Sequence, residues 1–333
     1  MFLMLPLVLG LAPSCNAASL HQRQALDNTT APLQLNKTGL AWGGGDADIT
    51  QFESPKVSWY YTWGPNNWVQ GKNNLEYVPM FWGPKNADSF SKYVNEDTIV
   101  SQGIKHALGM NEPEQTGQSN LTAVEGAQWW QTYMEPLRQY NVSLGSPAMS
   151  AATRSKQWLI DFSNACGAYG GFTWDTDWYG INATKFIAYL EDMHATFPDK
   201  PIWLTEFACH NFVSNVEPRR FRPPIHVISY QQEGGEQCTY ADTVAFMNIT
   251  QTWLDQQDYI HRYAWFGAMK SPVINNVNAL MDPSGVINDL GKQYIGPTQS
   301  SRGVKPNTGY FATAPIFIAA LVSALAGAMI VLV

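Results

Sequence analysis

Along the chain, short runs of apolar residues alternate with longer stretches in which apolar positions recur every three or four residues. The short runs predict strands at 38–42, 57–63, 76–82, 104–111, 142–148, 171–179, 201–207 and 261–267. Helical spacing is clearest over 122–139, where Val124, Ala127, Trp130, Met134 and Leu137 share a face. It is equally clear over 184–196, with Phe186, Ile187, Leu190 and Met193, and the stretches 87–101, 155–165 and 240–257 read similarly. Strands alternating with helices favour a parallel sheet covered by helices over a sandwich of hairpins. Eight such units over 37–298 predict an α/β fold, a (β/α)8 TIM barrel forming a single catalytic domain. Residues 19–36 read as an N-terminal tail. Residues 210–239, with Pro218, Pro223, Pro224, Gly234 and Gly235, read as a long loop that shapes a cleft after strand seven.

Two of the predicted strands end in a glutamate. Glu112 lies in Gly-Met-Asn-Glu-Pro-Glu (109–114), and Pro113 bars it from the right-handed helical region, so strand four should stop there. Glu206 lies in Ile-Trp-Leu-Thr-Glu-Phe-Ala (202–208), where strict alternation puts Ile202, Leu204 and Glu206 on one face and Trp203, Thr205 and Phe207 on the other. Barrel enzymes carry their chemistry at the C-terminal ends of the strands, so both acids would face one mouth. A retaining glycosidase needs such a pair about 5–5.5 Å apart, one carboxyl kept protonated and the other ionised. Glu112, among apolar neighbours and beside a second acid, suits the protonated role, whereas Glu206 suits the ionised one. Trp59, Trp63, Trp82, Trp178 and Trp265 fall near strand ends, where flat rings could stack on the C–H faces of sugars. Glu114, Asp175 and Asp177 are rival carboxylates, read as loop or supporting residues.

The composition supports a large globular enzyme. Of 333 residues 45% are hydrophobic, with 13 Trp, 15 Tyr and 15 Phe, which suffices for a substantial core. Charged residues make up 14%, below the roughly 25% usual in soluble domains, and the net charge of -7 argues against a nucleic-acid partner. The histidines are scattered and no spacing resembles a zinc site, so neither a metal nor an organic cofactor is expected. With Cys15 in a leader, Cys166, Cys209 and Cys238 remain. Cys209–Cys238 would staple the long loop, and Cys166–Cys209 is equally allowed.

Both ends suggest an address. An apolar segment at 2–11 followed by small residues reads as a signal peptide over 1–18. Asn28, Asn36, Asn120, Asn141, Asn182 and Asn248 each begin an Asn-x-Ser/Thr glycan acceptor site. A polar spacer at 299–314 precedes a continuous apolar run at 315–333 with no basic flank, the layout of a tail exchanged for a glycolipid (GPI) anchor. Ser300, Ser301, Gly303 and Asn307 are candidate attachment residues. The expectation is a secreted monomer held on the plasma membrane at the cell surface or in the wall by that anchor, a plain membrane span being the alternative.

Asn-Glu-Pro after one strand and Thr-Glu-Phe-Ala at the end of another resemble glycoside hydrolases of clan A. More narrowly, the chain is similar to glycoside hydrolase family 128, fungal-type cell-wall endo-β-1,3-glucanases. The stretches that carry the resemblance are Val57–Pro65 (VSWYYTWGP), Tyr77–Gly83 (YVPMFWG), Leu144–Ala148 (LGSPA), Trp178–Gly180 (WYG) and Arg262–Phe266 (RYAWF), spread over most of 38–270. The resemblance implies a retaining mechanism on a β-glucan, with Glu112 as acid/base, Glu206 as nucleophile, Asn111 on the sugar 2-hydroxyl and Tyr179 orienting Glu206. Where it leads one to expect a His before the Trp-Tyr pair, this chain has Asp177, an additional acid beside the site. The alternatives are a non-catalytic glucan-binding or wall-structural protein on the same fold, and a hydrolase or transglycosylase acting on another β-glycan.

Overall fold

Every residue of β1 (Thr38–Trp42) and of β7 (Ile202–Cys209) is buried, as parallel strands covered on both faces must be. The other strands are β2 (Val57–Tyr61), β3 (Glu76–Tyr77), β4 (His106–Ala107), β5 (Ser143–Gly145), β6 (Phe172–Gly180) and β8 (Ile260–Ala268). All pair in parallel, in the order β3-β2-β1-β8-β7-β6-β5-β4. The two outer strands then meet. Leu108 N–H donates to Pro79 O and Phe81 N–H to Leu108 O, both at 2.9 Å, and this Met80–Leu108 bridge closes the ring into the expected barrel. The computed structural model describes residues 36–69, 71–166, 172–212 and 237–297, all within one compact unit. The signal at 1–18, nearly all of the tail at 19–36, Asn28, the spacer at 299–314 and the run at 315–333 lie outside the described residues, as do 213–236 of the long loop.

The ladders of β3, β4 and β5 are shorter than the apolar runs that predict them. Pro79 and Pro147 interrupt the runs of β3 and β5, and a proline has no N–H to give to a ladder. Extended backbone nevertheless continues through isolated bridges at Met80–Leu108, Asn111–Ala148 and Met149–Thr176. These bridges carry the chain upward to the mouth.

The helices are α1 (Ala87–Tyr93), α2 (Glu96–Gln102), α3 (Ala123–Tyr133), α4 (Ser155–Ala165), α5 (Ala183–Thr196), α6 (Tyr240–Gln256) and α7 (Asp289–Ile295). The single helix expected over 87–101 is two, because Asn95 and Thr98 form a capping box that restarts the helix. Pro136 tightens the chain after α3 into a 3-10 turn, Glu135–Tyr140. Ala127, Trp130, Met134 and Leu137 are buried as the spacing predicts, but Val124 in the first turn of α3 is 60% exposed. Among the described residues no α-helix connects β1 to β2 or β2 to β3; the first crossover holds only the 3-10 turn Ile49–Phe52.

The core has two layers. Ala41, Trp59, Tyr61, Val78, Met80, Leu108, Ala148, Trp203 and Ala264 fill the barrel, and a larger apolar layer lies between strands and helices. At the N-terminal end Glu76 bridges His106 (2.5 Å) and Arg262 (2.5 Å), whose guanidinium lies 4.3 Å from the Trp203 ring centre.

Strict alternation fails in β7. Trp203 points into the barrel, whereas Ile202, Leu204 and Phe207 all join the outer layer. The register explains the slip. Between Thr176 and Asp177 the partner on β7 advances two residues, from Leu204 to Glu206. Between Tyr263 and Trp265 it advances three, from Leu204 to Phe207. One extra residue is therefore accommodated at Thr205–Glu206, a β-bulge. Contrary to the expectation from alternation, Glu206 therefore does not share a face with Ile202 and Leu204; the bulge turns it inward.

Candidate active site

The bulge presents Glu206 among inward side chains near the C-terminal ends of the strands. The indole N–H of Trp63 donates to Glu206 Oε1 at 2.6 Å, and the hydroxyl of Tyr179 donates to Oε2. Trp63 reaches it from a left-handed backbone (φ 56°), with its ring 5.0 Å from Tyr61 and 5.6 Å from Phe266. Tyr179 stands edge-on to Phe266 (5.6 Å) and Phe212 (5.3 Å). The bulge itself is fastened twice: the Tyr61 hydroxyl donates to Thr205 O (3.0 Å), and the Thr205 hydroxyl donates to Asp177 Oδ1 (2.7 Å).

Glu112 approaches from the loop after β4. Pro113 keeps it out of the right-handed region as expected, and the conformation adopted is left-handed (φ 37°). Such a backbone costs roughly 1–3 kcal/mol in a non-glycine residue and persists only when its surroundings hold it. Here Glu112 N–H donates to Ala148 O (2.8 Å), and Glu112 O accepts from Gln115 N–H (2.9 Å). Asn111 is held alongside. Its N–H donates to Trp82 O (3.0 Å), its side-chain amide donates to Gln118 Oε1 (3.2 Å), and its Oδ1 is buried with no hydrogen-bond partner among the described residues.

Electrostatics separate the two acids. Burial, then the charge of Glu206, then that of Glu114, push the Glu112 carboxyl far above the usual range, with Gln118 opposing. Burial also raises Glu206, but its bonds from Tyr179 and Trp63 favour the ionised form and pull it back. Both carboxyls are raised, Glu112 the further, and only Glu206 receives two donors that favour its ionised form. The charge of Glu206 is the largest influence on Glu112 after burial, despite their separation in sequence.

The other candidate residues sort clearly. Trp63 and Trp82 are half-buried against the barrel interior; Trp82 also has the Lys85 ammonium 4.9 Å from its ring centre. Three of the tryptophans do not reach the mouth. Trp59 is fully buried deep in the barrel, where its indole N–H donates to Lys37 O (3.1 Å) and Arg262 lies 5.5 Å away. Trp178 points outward, stacked on Phe246 (5.6 Å) and edge-on to Phe186 (5.1 Å). Trp265 is also in the outer layer, donating to Asn278 O (2.9 Å). Alternation along β6 and β8 gives the inward positions to Tyr179 and Phe266, their neighbours. Phe266, Phe212, Tyr61 and Gln118 belong to the site and were not singled out from the sequence. Phe266 was readable from alternation, whereas nothing local marks Gln118.

Among the rival acids, Glu114 is tied to the start of α4 by Ser150 N–H (3.0 Å) and the Ser155 hydroxyl (2.7 Å). Cys209 and Cys238 are joined by a disulfide, and Cys166 is buried at the end of α4. Asn36, Asn120, Asn141, Asn182 and Asn248 are all exposed. Among the described residues no group of three or more His, Cys, Asp or Glu side chains is arranged to hold a metal ion, and no helix is long and apolar enough to cross a membrane.

Residues 39–294 match the family model described as glycosyl hydrolase catalytic core. Alkali-sensitive linkage protein 1 of Schizosaccharomyces pombe (strain 972 / ATCC 24843) is 29% identical over 267 residues, which is 78% of this chain and 44% of that protein. The chain therefore spans less than half the length of this curated relative. Among solved structures, a GH128 (subgroup II) endo-β-1,3-glucanase from Sorangium cellulosum superposes with a TM-score of 0.62 at 27% identity, covering 79% of this chain and 99% of its own. A GH128 (subgroup III) curdlan-specific exo-β-1,3-glucanase from Blastomyces gilchristii, solved with glucose, gives 0.60 at 26% identity, covering 78% and 98%.

Proposed function

The chain belongs to the glycosyl hydrolase catalytic core family and is a glycoside hydrolase; from that premise we propose that it is a retaining endo-β-1,3-glucanase acting on the glucan of a cell wall. In this reading Glu206 attacks the anomeric carbon while the C–O bond to the leaving sugar breaks, and Glu112 gives its proton to the departing oxygen. A glycosyl-enzyme ester results. Water, deprotonated by Glu112, then attacks the same carbon and restores both carboxyls. Tyr179 and Trp63 hold the nucleophile through both steps. Asn111, whose buried Oδ1 has no partner among the described residues, binds the sugar 2-hydroxyl, a bond that tightens in the transition state. Trp63 and Trp82 are the platforms for sugar rings.

The observation that carries this reading is the pair of donors, Tyr179 and Trp63, on Glu206, beside a Glu112 carboxyl that burial and neighbouring charge push further up. Its test is incubation with β-1,3-, β-1,4- and β-1,6-linked glucans, following reducing ends and product sizes. Release of mixed oligosaccharides from the β-1,3-linked polymer alone is expected, with no product from Glu206→Gln. Steady release of glucose would make the enzyme exo-acting, as the Blastomyces gilchristii relative is described. A wild-type enzyme inert on every glucan would leave a binding or wall-structural role.

The signal at 1–18, the acceptor sites and the run at 315–333 support display at the cell surface on a glycolipid anchor. Release from membranes by a phosphatidylinositol-specific phospholipase C tests that part of the proposal, and a chain that stays on the membrane refutes it.

A further inference from the structure

Beneath the two glutamates lies a third acid that this reaction does not use. Asp177 is buried on the inward face of β6, opposite Glu206 in the ladder. Its Oδ1 accepts from the Thr205 hydroxyl at 2.7 Å. Its Oδ2 is buried with no hydrogen-bond partner among the described residues, where Asp177 also enters no ion pair. Among the described residues the titratable groups around it are Asp175 and Tyr179 on β6, Glu206 on β7, Glu112 after β4, Tyr61 on β2 and Tyr189 on α5. All are acids or phenols. Burial, followed by Glu206 and Glu112, holds the Asp177 carboxyl well above the usual range against the opposing bond from Thr205.

Thr205 is one of the two residues of the bulge, and among the described residues its hydroxyl has one other acceptor in reach, Thr176 O at 3.4 Å. Without Asp177 the bulge would keep the Tyr61 bond to its carbonyl and lose its side-chain fastening. An ionised Asp177 would supply the fastening but place a second negative charge beside the nucleophile. An uncharged one supplies it without that charge.

We propose that Asp177 is a positioning residue whose carboxyl group grips Thr205 and so fixes the β7 bulge that presents Glu206 to the substrate. The proposal rests on Glu206 being the nucleophile. Burial and the neighbouring acids favour the uncharged form of Asp177, which spares Glu206 a second negative charge beside it.

The test pairs two truncations with their conservative counterparts. Displacing a reacting group by about 1 Å costs about 100-fold, so Asp177→Ala and Thr205→Val should each lower kcat by about that factor while KM changes little. Asp177→Asn, whose amide oxygen still accepts from Thr205, should recover activity to within about fivefold of wild type, and Thr205→Ser should do likewise. The acid limb of kcat/KM in Asp177→Asn should stay where it is. A limb moved down by about one pH unit or more would mean that a charge had been removed beside Glu206, and would overturn the proposal. An infrared difference spectrum of wild type minus Asp177→Asn at neutral pH should contain a protonated-carboxyl band; a carboxylate band in its place would refute the uncharged state. That measurement needs no turnover, so it reads even if Glu206→Gln shows Glu206 not to be the nucleophile. Truncations that leave kcat intact would remove the positioning role.

Discussion

Tyr179→Phe tests how Glu206 is held, because it deletes one hydrogen bond and leaves the ring against Phe212 and Phe266. The bond is buried and its acceptor is charged in the working enzyme, so its loss should remove about 1.5–3 kcal/mol of support for the ionised form. At about 1.4 kcal/mol per pKa unit, this corresponds to about one to two units. The bond favours the ionised carboxyl, so losing it raises Glu206. Activity that needs an ionised nucleophile then disappears at higher pH as the solution is acidified, and the acid limb of kcat/KM moves up. The alkaline limb, which belongs to the proton on Glu112, should stay in place. The assay is initial-rate hydrolysis of a linear β-1,3-glucan from about pH 3 to about pH 9, with a thermal melt to confirm folding. An acid limb that stays still or moves down would show that Tyr179 does not support the charge on Glu206, and the role assigned to this contact would be wrong.

Removing the general acid should spare substrates that do not need it: Glu112→Ala should lose about 100-fold or more on glucan yet still cleave aryl glycosides with activated leaving groups, and equal losses on both would reject the assignment. At the other end of the barrel, burial pushes Glu76 up, but the bond from His106 and the charge of Arg262 outweigh it and leave its carboxyl below the usual range. Its stabilising contribution is therefore present above the unfolded-state value and is lost as pH falls through the folded one; Glu76→Gln should flatten the acid-side fall of Tm, and an unchanged slope would refute this. The Cys209–Cys238 bridge closes a separation of 29 residues, so Cys209→Ser with Cys238→Ser should cost about 3–4 kcal/mol in denaturant unfolding, and a cost below about 1 kcal/mol would count against it as a staple. Trp178→Leu should lower Tm with little change in KM, whereas Trp82→Ala should raise KM; a large KM effect for Trp178 would contradict its outward packing.

Periodicity made the barrel legible, since a parallel strand buried on both faces and an amphipathic helix leave different spacings in the sequence. The two glutamates were legible because each interrupts an apolar run and Pro113 marks the end of one. Side-chain direction was less legible. Strict alternation put Glu206 with Leu204, and only the cross-strand register shows the extra residue that separates them. Tryptophans were weighed by their nearness to strand ends, but Trp178 and Trp265 alternate away from the barrel axis and Trp59 sits too deep. The supports of the site have no local signature: Gln118 reaches Asn111 from later in the same loop, and Tyr61 reaches the bulge from a strand distant in sequence.

The ladders that close the ring are unequal. β6, β7 and β8 run for 9, 8 and 9 residues on the side that bears Glu206, while β3, β4 and β5 hold only 2, 2 and 3 beneath Glu112. One wall of the cleft is therefore stiff and the other compliant. Amide protons near the Met80–Leu108 seam should exchange with solvent sooner than those of β7, which open only when the whole domain does. Under the proposed mechanism the long-laddered wall would hold the covalent sugar, and the short-laddered one would let the proton carrier serve first a departing oxygen and then an arriving water.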